Sequence, residues 1–541
     1  MPTPSADLVL YNATVHTVDP QQPTASAFAV RGTQFVAVGD DSLRDDFPNA
    51  RHLDARGATV VPGLIDAHAH LQPLGFSLRR PTLSGATSAD EVVQRLRSFV
   101  DEHDLPEGAW LRGQGWNESN WPTPPTRTAL DAAFPERPVW LTRADIHAGW
   151  ANTAALEATI GLSRLRTMSD PDGGTIRRTA DGRPTGVLVD AAMDLVEDQM
   201  PAPSPTQHDR ALATALRHAA RHGVTSVHDA GIEADTLDRF RNVIDDGACP
   251  LRIYAMILGR GALFDRICER GPYHGPEGRL HVASVKFFAD GALGSGGAAL
   301  LAPYADEPEN RGFLLQEPER FRQHVEAAAA CGLQVNTHAI GDRANRMVLD
   351  AYESVQRTTE HDLRRPRIEH AQILHPDDLS RFGALDVIAS VQPQFATSDM
   401  GWVADRLGPD RLDGAYAWQS LHQSGAPLAF GSDAPVEPMN PLRGFHAAVT
   451  RQDADGHPPG GWHPAERVSR ATALHAYTQG AAYAAFQEDA LGSIAPGTRA
   501  DWTVLSQDIM EVPAEALLET EVMATYVDGR PTYSGPDWPA A

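Results

Sequence analysis

Eight short apolar segments alternate with helical patterns through the middle of this chain, and they restrict its fold more than any other feature. They are VVPGLIDAHAHL, TSVHDAG, RIYAMIL, SVKFFADG, QVNTHAIGD, RIEHAQIL, VIASVQPQF and PLAFGSDAP. Runs of this length, rich in β-branched and aromatic residues and bounded by turn residues, read as buried strands. Between several of them lie helix patterns such as PERFRQHVEAAAACG, closed by Gly332, and DRANRMVLDAYESVQR. Eight strand–helix repeats over roughly 250–400 residues predict an α/β chain built as a (β/α)8 TIM barrel, whose active site falls at the C-terminal face.

The two ends have a different texture. Residues 7–63 hold short alternating strands with frequent turns, in DLVLYNATVHTVD, SAFAVRGTQFVAVG and HLDARGATVVPG. The C-terminus repeats the pattern in LGSIAPGTRADWTVLS and VMATYVDGRPTYS. Segments 1–63 and 485–541 are therefore expected to build one small β-sandwich, with the barrel over 64–484. About 150 residues separate the first barrel strand from the second, far more than an ordinary connection. That stretch has its own helices, one opened by the Ser88/Glu91 capping box and one over Gln207–Arg221. It is read as a subdomain, about 84–215, inserted after the first strand.

Composition sharpens the picture at one position. The chain has 46 lysines and arginines, and Lys286, in SVKFFADG, is the single lysine. A surface charge is served equally by arginine. A position that stays lysine is either a chance survivor on a strand edge or one that needs an amine able to lose its proton when desolvated, or to react with carbon dioxide. The net charge of −25 argues against nucleic acid and anionic membranes as partners, leaving a small-molecule substrate. High salt and GC-rich coding both fit the excess of acid and arginine. No run of eighteen apolar residues suggests a membrane span, and the N-terminus lacks a secretory pattern, so a cytoplasmic protein is expected. Cys249, Cys268 and Cys331 lie far apart and are read as reduced thiols.

The strand ends carry the chemistry. The first ends in Asp66-Ala-His68-Ala-His70, which alternation places on one face. About one HxH is expected by chance among 22 histidines, so the pair gains meaning only from its place on an apolar strand. The fourth strand carries Lys286, the fifth ends in His338, the sixth in Glu369-His370 and the eighth in Asp433. Strand ends of one barrel meet around one axis, so these residues are expected to share a pocket. Imidazoles and a carboxylate suit zinc or another divalent metal. The expected layout puts one metal on His68, His70 and Asp433 and a second on His338 and His370. A carboxylated Lys286 (N6-carboxylysine) and a hydroxide would bridge the two. Asp433 would act as general base and then general acid.

Asp66 is read as supporting the histidines from behind. Glu369 and Asp342 either do the same or form rim ion pairs. Asp290 either orients the lysine or caps its loop. Trp116, Asn117, His147 and Trp150, in the insertion, either line the substrate pocket or, for the tryptophans, fill the insertion's core. GALGSGGAAL lacks the lysine and spacing of a phosphate loop.

These motifs resemble the amidohydrolase superfamily of metal-dependent hydrolases. PGLIDAHAHL resembles its opening motif and LGSIAPGTRADWTVL its return to the sandwich. More narrowly, GQGWNESNW, DPDGGTIRRTADGRPTG, VKFFADGALGSGGAALLAPYAD, HAIGDRA, RIEHAQ and GSDAPVEPMNP resemble the amidohydrolase family that includes N-substituted formamide deformylase. The resemblance spans essentially the whole chain. It implies the same six site positions, His68, His70, Lys286, His338, His370 and Asp433, and a homodimer; it fixes neither the metal nor whether one or two are bound, and two zinc ions are the expected filling. It also implies a hydrolase of carbon–nitrogen bonds other than peptide bonds, acting on N-acyl or N-formyl amines. A second reading keeps the site and changes the bond to a lactone, another ester, a cyclic amide or a carbon–carbon bond. A third is a metal-free scaffold barrel, which predicts erosion of the six positions, and all six are intact.

Overall fold

The computed structural model describes residues 5–103, 105, 108–118, 121–143, 147–171 and 173–539. Ser119 and Asn120 of GQGWNESNW, residues 144–146 and Asp172 of DPDGG lie outside the described residues. The chain divides into two compact units, Met1–Leu74 with Ala215–Ala541, and Gly75–Thr214.

The first unit holds eight parallel strands in sequential order: β1 (Leu64–Ala69), β2 (Val224–Ile232), β3 (Arg252–Leu258), β4 (Leu280–Phe288), β5 (Gln334–Ala339), β6 (Arg367–His370), β7 (Ile388–Val391) and β8 (Leu428–Phe430). Every neighbouring pair from β1 to β8 runs parallel. The two edges then meet. Asp433 N donates to His68 O at 2.6 Å and His70 N to Ala434 O at 2.8 Å, just beyond the ends of β8 and β1. A nearly closed eight-stranded barrel results; six of the strands lie within the segments read from sequence, while β2 extends one residue beyond TSVHDAG at each end and β4 begins four residues before SVKFFADG. Most strand residues are buried because a barrel strand has side chains packed on both faces.

Both ends of the chain enter one sheet. It runs, in order, Arg530–Ser534, Val522–Val527, Trp502–Leu505, Thr59–Pro62, Thr14–His16 and Thr24–Ala25. Trp502–Leu505 pairs antiparallel with Thr59–Pro62, so a C-terminal strand lies beside the one that leads into β1. A second sheet is ordered Gln34–Gly39, Ala27–Arg31, Leu8–Tyr11 and Arg51–Asp54. One apolar cluster joins the two sheets: Phe28, Phe35 and Leu53 pack with Val60, Trp502 and Tyr526. The Trp502 and Tyr526 rings stack at 4.2 Å.

The second unit has its own five-stranded sheet, ordered Gly174–Arg178, Pro184–Asp190, Ala148–Ala151, Val139–Arg143 and Leu111–Trp116. Helix Ala89–His103 starts where the capping box predicts, with Glu91 N donating to Ser88 Oγ at 3.2 Å. The unit begins at Gly75, earlier than the expected 84. A Cβ on Gly75 would lie 1.9 Å from Ala211 O, so the backbone there is pressed against helix Pro205–Arg221.

The cysteine expectation needs correction: Cys268 and Cys331 form a disulfide, and only Cys249 is free. Cys268 sits on helix Ala262–Arg270, which follows β3, and Cys331 caps helix Pro318–Ala330, which follows β4. Adjacent strands carry adjacent helices, and this brings the two Cα atoms within 4.8 Å across 63 residues of sequence. Linear spacing hides such a pairing. Among the described residues, no helix is long and apolar enough to cross a membrane.

Candidate metal centre

The six residues singled out at the strand ends all line one cavity of about 430 Å³ at the C-terminal end of the barrel. β1 supplies His68, and His70 follows at its end; β4 supplies Lys286, β5 His338 and β6 His370. Asp433 stands just past β8. The backbone makes room for this convergence. A Cβ on Gly431 would lie 2.5 Å from His68 N, so only glycine lets the end of β8 pass so close to β1. His370 (φ 74°) and Asp433 (φ 57°) adopt left-handed backbone, a costly conformation for residues with side chains and one that clusters at functional sites.

His70 Nε2 lies 3.1 Å and His68 Nε2 3.5 Å from Asp433 Oδ1. One donor atom from each of these three residues falls within 4.8 Å of the others. Lys286 Nζ is 3.3 Å from His68 Nε2. The His338 and His370 rings are 4.5 Å apart, and His370 is 4.9 Å from His68.

Hydrogen bonds behind the rings decide which nitrogens face the cavity. His68 Nδ1 donates to Glu369 Oε2 at 2.6 Å, and His370 Nδ1 donates to Gln392 Oε1 at 2.8 Å. Each ring therefore turns its Nε2 lone pair inward. Burial keeps these imidazoles neutral: it pushes His370 down to about 3 and holds His68 and His338 well below their usual value, helped by neighbouring cations. Burial also lowers the Lys286 ammonium, against the pull of Glu369 and Asp433. Burial pushes Asp433 up, but its hydrogen bond with His70 and the nearby imidazoles outweigh that and hold it well below the usual range. His338 Nε2 is buried without a hydrogen-bond partner, its nearest carboxylate oxygen being Asp290 Oδ1 at 3.6 Å. Neutral inward imidazoles, an ionised carboxylate and an orphaned ring nitrogen together fit a divalent metal.

Glu369 is itself anchored. Its Oε1 lies 2.9 Å from Arg367 Nε, an ion pair whose angle is not that of a hydrogen bond. Arg367 also donates to Ala67 O, Ser390 Oγ and His228 Nδ1, at 2.7, 2.8 and 3.0 Å. Asp66 sits beneath the histidines and accepts from His68 N, Ser432 N and Ser432 Oγ. Burial lifts it to about 6.

The remaining sequence candidates fall elsewhere. Asp290 ties loops together, accepting from Ala299 N, Ile340 N and Gly341 N. Asp342 accepts from Leu301 N and Arg343 N. Of the two readings offered for Trp116 and Trp150, the structure has the core of the inserted unit: both are fully buried, with ring centroids 5.8 Å apart, and Trp116 Nε1 donates to Leu141 O. Asn117 is exposed on that unit, as is His147, whose Nδ1 lies 2.8 Å from Asp190 Oδ1.

Sequence reading passed over Gln392, Asp229, Gln372 and Asp399. Asp229, in the C-terminal half of β2, accepts from Leu71 N, and burial lifts it to about 6. Gln392 and Asp229 occupy the same strand-end positions as the chosen residues, so that rule applied to every strand finds both. Gln372 and Asp399 line the cavity with Phe288, Leu293, Ile340, Phe395, Trp402 and Val436.

A parallel barrel with histidines, a lysine and an aspartate around a cavity at its C-terminal end defines a metal-dependent hydrolase. The amidohydrolase family model matches residues 51–533, and the chain belongs to that family. It is a hydrolase of carbon–nitrogen bonds other than peptide bonds. Protein LONG AFTER FAR-RED 3 of Arabidopsis thaliana is 37% identical over 545 residues, 98% of this chain and 92% of the plant protein. N-substituted formamide deformylase of Arthrobacter pascens is 30% identical over 554 residues, 97% of this chain and 98% of the deformylase. The crystal structure of an uncharacterized metal-dependent hydrolase from Pyrococcus horikoshii OT3 superposes with a TM-score of 0.78 at 28% identity, covering 94% of this chain and 99% of that one.

Proposed function

We propose that this protein hydrolyses the amide bond of an N-acyl or N-formyl amine, releasing an amine and a carboxylate. One observation carries the reading: four histidines, Lys286 and Asp433 share one cavity in a barrel of the amidohydrolase family. Full-length similarity to a protein named for deformylating N-substituted formamides supports that substrate class.

His68, His70 and Asp433 would hold one divalent ion and His338 and His370 a second, with Lys286, once its amine has added carbon dioxide to give a carbamate, as a further anionic ligand. Zinc is the metal this donor set suits. A divalent ion supplies Lewis acidity, acidifying a water and polarising a carbonyl. The protein's residues do the rest. Asp433, held ionised, accepts the proton of the attacking water and passes it to the departing nitrogen. Glu369 and Gln392 keep the His68 and His370 rings turned inward. The apolar wall of Phe288, Phe395 and Trp402 excludes water from the scissile bond. A cytoplasmic homodimer is the setting in which we expect it to act.

The test is turnover across N-formyl amines, N-acyl amino acids, lactones and cyclic imides by metal-replete protein, with metal content measured in parallel. Amide cleavage with one to two divalent ions per chain is expected. Turnover of esters or lactones alone would replace the amide assignment, and protein that binds no metal after supplementation would remove the mechanism.

A further inference from the structure

The cavity wall away from the metal donors is apolar apart from Gln372 and one carboxylate, Asp399. Asp399 ends helix Pro393–Asp399, which follows β7. Its two oxygens are used differently. Oδ2 accepts from the Tyr416 hydroxyl and from Gln372 Nε2 at 3.0 Å. Gln372 Nε2 also donates to Tyr416 Oη at 2.6 Å. Oδ1 has no hydrogen-bond partner among the described residues, which leaves it as the acceptor presented to the cavity.

The support behind Asp399 is built into the fold. Tyr416 is 2% exposed and adopts left-handed backbone (φ 53°). Its N donates to Gln372 O at 2.7 Å, and its own carbonyl accepts from Arg451 Nη1 at 2.9 Å. Arg451 in turn is fully buried over the Trp418 and Trp462 rings, 4.6 and 5.0 Å from their centroids. Two groups, Tyr416 and Gln372, thus hold one carboxylate that forms no ion pair among the described residues, and Arg451 with its two tryptophans backs Tyr416. A solvated surface aspartate needs no such frame.

The chemistry around it points one way. Among the described residues, Lys286 is the only lysine or arginine lining the cavity, and it lies among the metal donors. The other walls near Asp399 include the Phe395 and Trp402 rings, whose faces attract cations. Glu437 adds negative potential nearby and is held by Ser398 Oγ. Burial lifts Asp399 to about 6, with Glu437 reinforcing this and the hydrogen bonds from Tyr416 and Gln372 opposing it. A desolvated carboxylate beside aromatic rings is suited to an organic ammonium.

We infer that Asp399 is the specificity determinant of this cavity, selecting N-acyl or N-formyl amines that carry a second, protonated nitrogen. The inference rests on the amide reading for the bond cleaved, and on the geometry of Asp399 for the group recognised.

Paired substrates test it: an N-formyl diamine against an N-formyl alkylamine of the same length, in which a methyl replaces the ammonium. Wild-type protein is expected to show the higher kcat/KM on the diamine derivative. Asp399→Asn, which keeps the shape and removes the charge, should reduce that ratio by at least roughly tenfold, the effect of losing one charged hydrogen bond. The loss should appear mainly in KM, and Asp399→Glu should restore part of the preference. A ratio unchanged by Asp399→Asn, or a wild-type preference for the neutral substrate, would overturn the inference. Calorimetric binding of hexylammonium provides an arm independent of turnover. If neither formamide is hydrolysed but hexylammonium binds roughly tenfold more weakly to Asp399→Asn, the amide reading fails and Asp399 keeps its role. Equal binding to both proteins sinks the role of Asp399 whatever the bond cleaved.

Discussion

Lys286 is 1% exposed, and among the described residues no carboxylate oxygen lies within 4.0 Å of its Nζ. Its hydrogen-bonding partner is an imidazole nitrogen, His68 Nε2, at 3.3 Å. A buried ammonium without a counter-ion is costly, so the amine is held in a site that favours its loss of charge or its conversion to an anion. Arginine offers neither route. Lys286→Arg is therefore expected to cost far more than the roughly 10–100-fold that loss of an outer partner costs, and to remove one metal ion per chain. Elemental analysis and kcat/KM on the same preparation check this together. A variant with wild-type metal content and activity would exclude the carbamate. This residue was legible in the sequence because it is the chain's one lysine. Asp399 was not, because nothing local separates it from the other acidic residues on helices. Its meaning comes from Tyr416 and Gln372, which other segments bring to it.

β6 shows how a single strand organises the centre. Its four residues, Arg367–His370, are all buried. Alternation turns Arg367 and Glu369 to the same side, where Arg367 spans to Ala67 and Ser390 and leaves Glu369 free to accept from His68 Nδ1. Glu369→Gln keeps the size but provides an amide where an anionic acceptor stood, and it can present N–H to the ring. Metal affinity is expected to weaken roughly 10–100-fold, as read by competition with a chelating dye, while the melting profile of the metal-free protein stays cooperative. Unchanged affinity would show that His68 does not depend on Glu369 for its orientation. The strands themselves were legible because their apolar runs are bounded by clear turns, and Glu369 and His370 were found from their place at a strand end. Arg367 escaped because a charged residue at the start of a short strand reads as a surface residue. The Cys268–Cys331 pair escaped because only the stacking of consecutive barrel helices brings the two together.

At the opposite end of the barrel from the cavity, the chain's late segments are fastened to its middle. Arg252 opens β3 and is 2% exposed. Its Nε and Nη2 donate to the Asp501 carboxylate at 2.7 and 2.9 Å, a two-point contact, and Nη2 also reaches Asp528. Asp501 and Asp528 flank the strands Trp502–Leu505 and Val522–Val527 of the six-stranded sheet, and are 6% and 4% exposed. Asp528 N closes the arrangement by donating to Asp501 Oδ1 at 2.8 Å. One guanidinium therefore neutralises much of the charge of two buried carboxylates, in a barrel strand and a sheet that are far apart in sequence. Replacing the whole cluster with apolar side chains of similar volume need not be costly, but removing only Arg252 strands the Asp501 carboxylate, while Asp528 keeps Arg279 and Arg499. Arg252→Met is expected to lower stability by roughly 3–5 kcal/mol in chemical denaturation of the first unit's signal. Arg279, 16% exposed in its side chain and paired with Asp528 Oδ2 at 2.8 Å, provides the control. Arg279→Met leaves Arg252 in place on both carboxylates, so its cost should be much smaller. If the two variants lose equal stability, the buried two-point contact with Asp501 is not what holds the C-terminal sheet to the barrel.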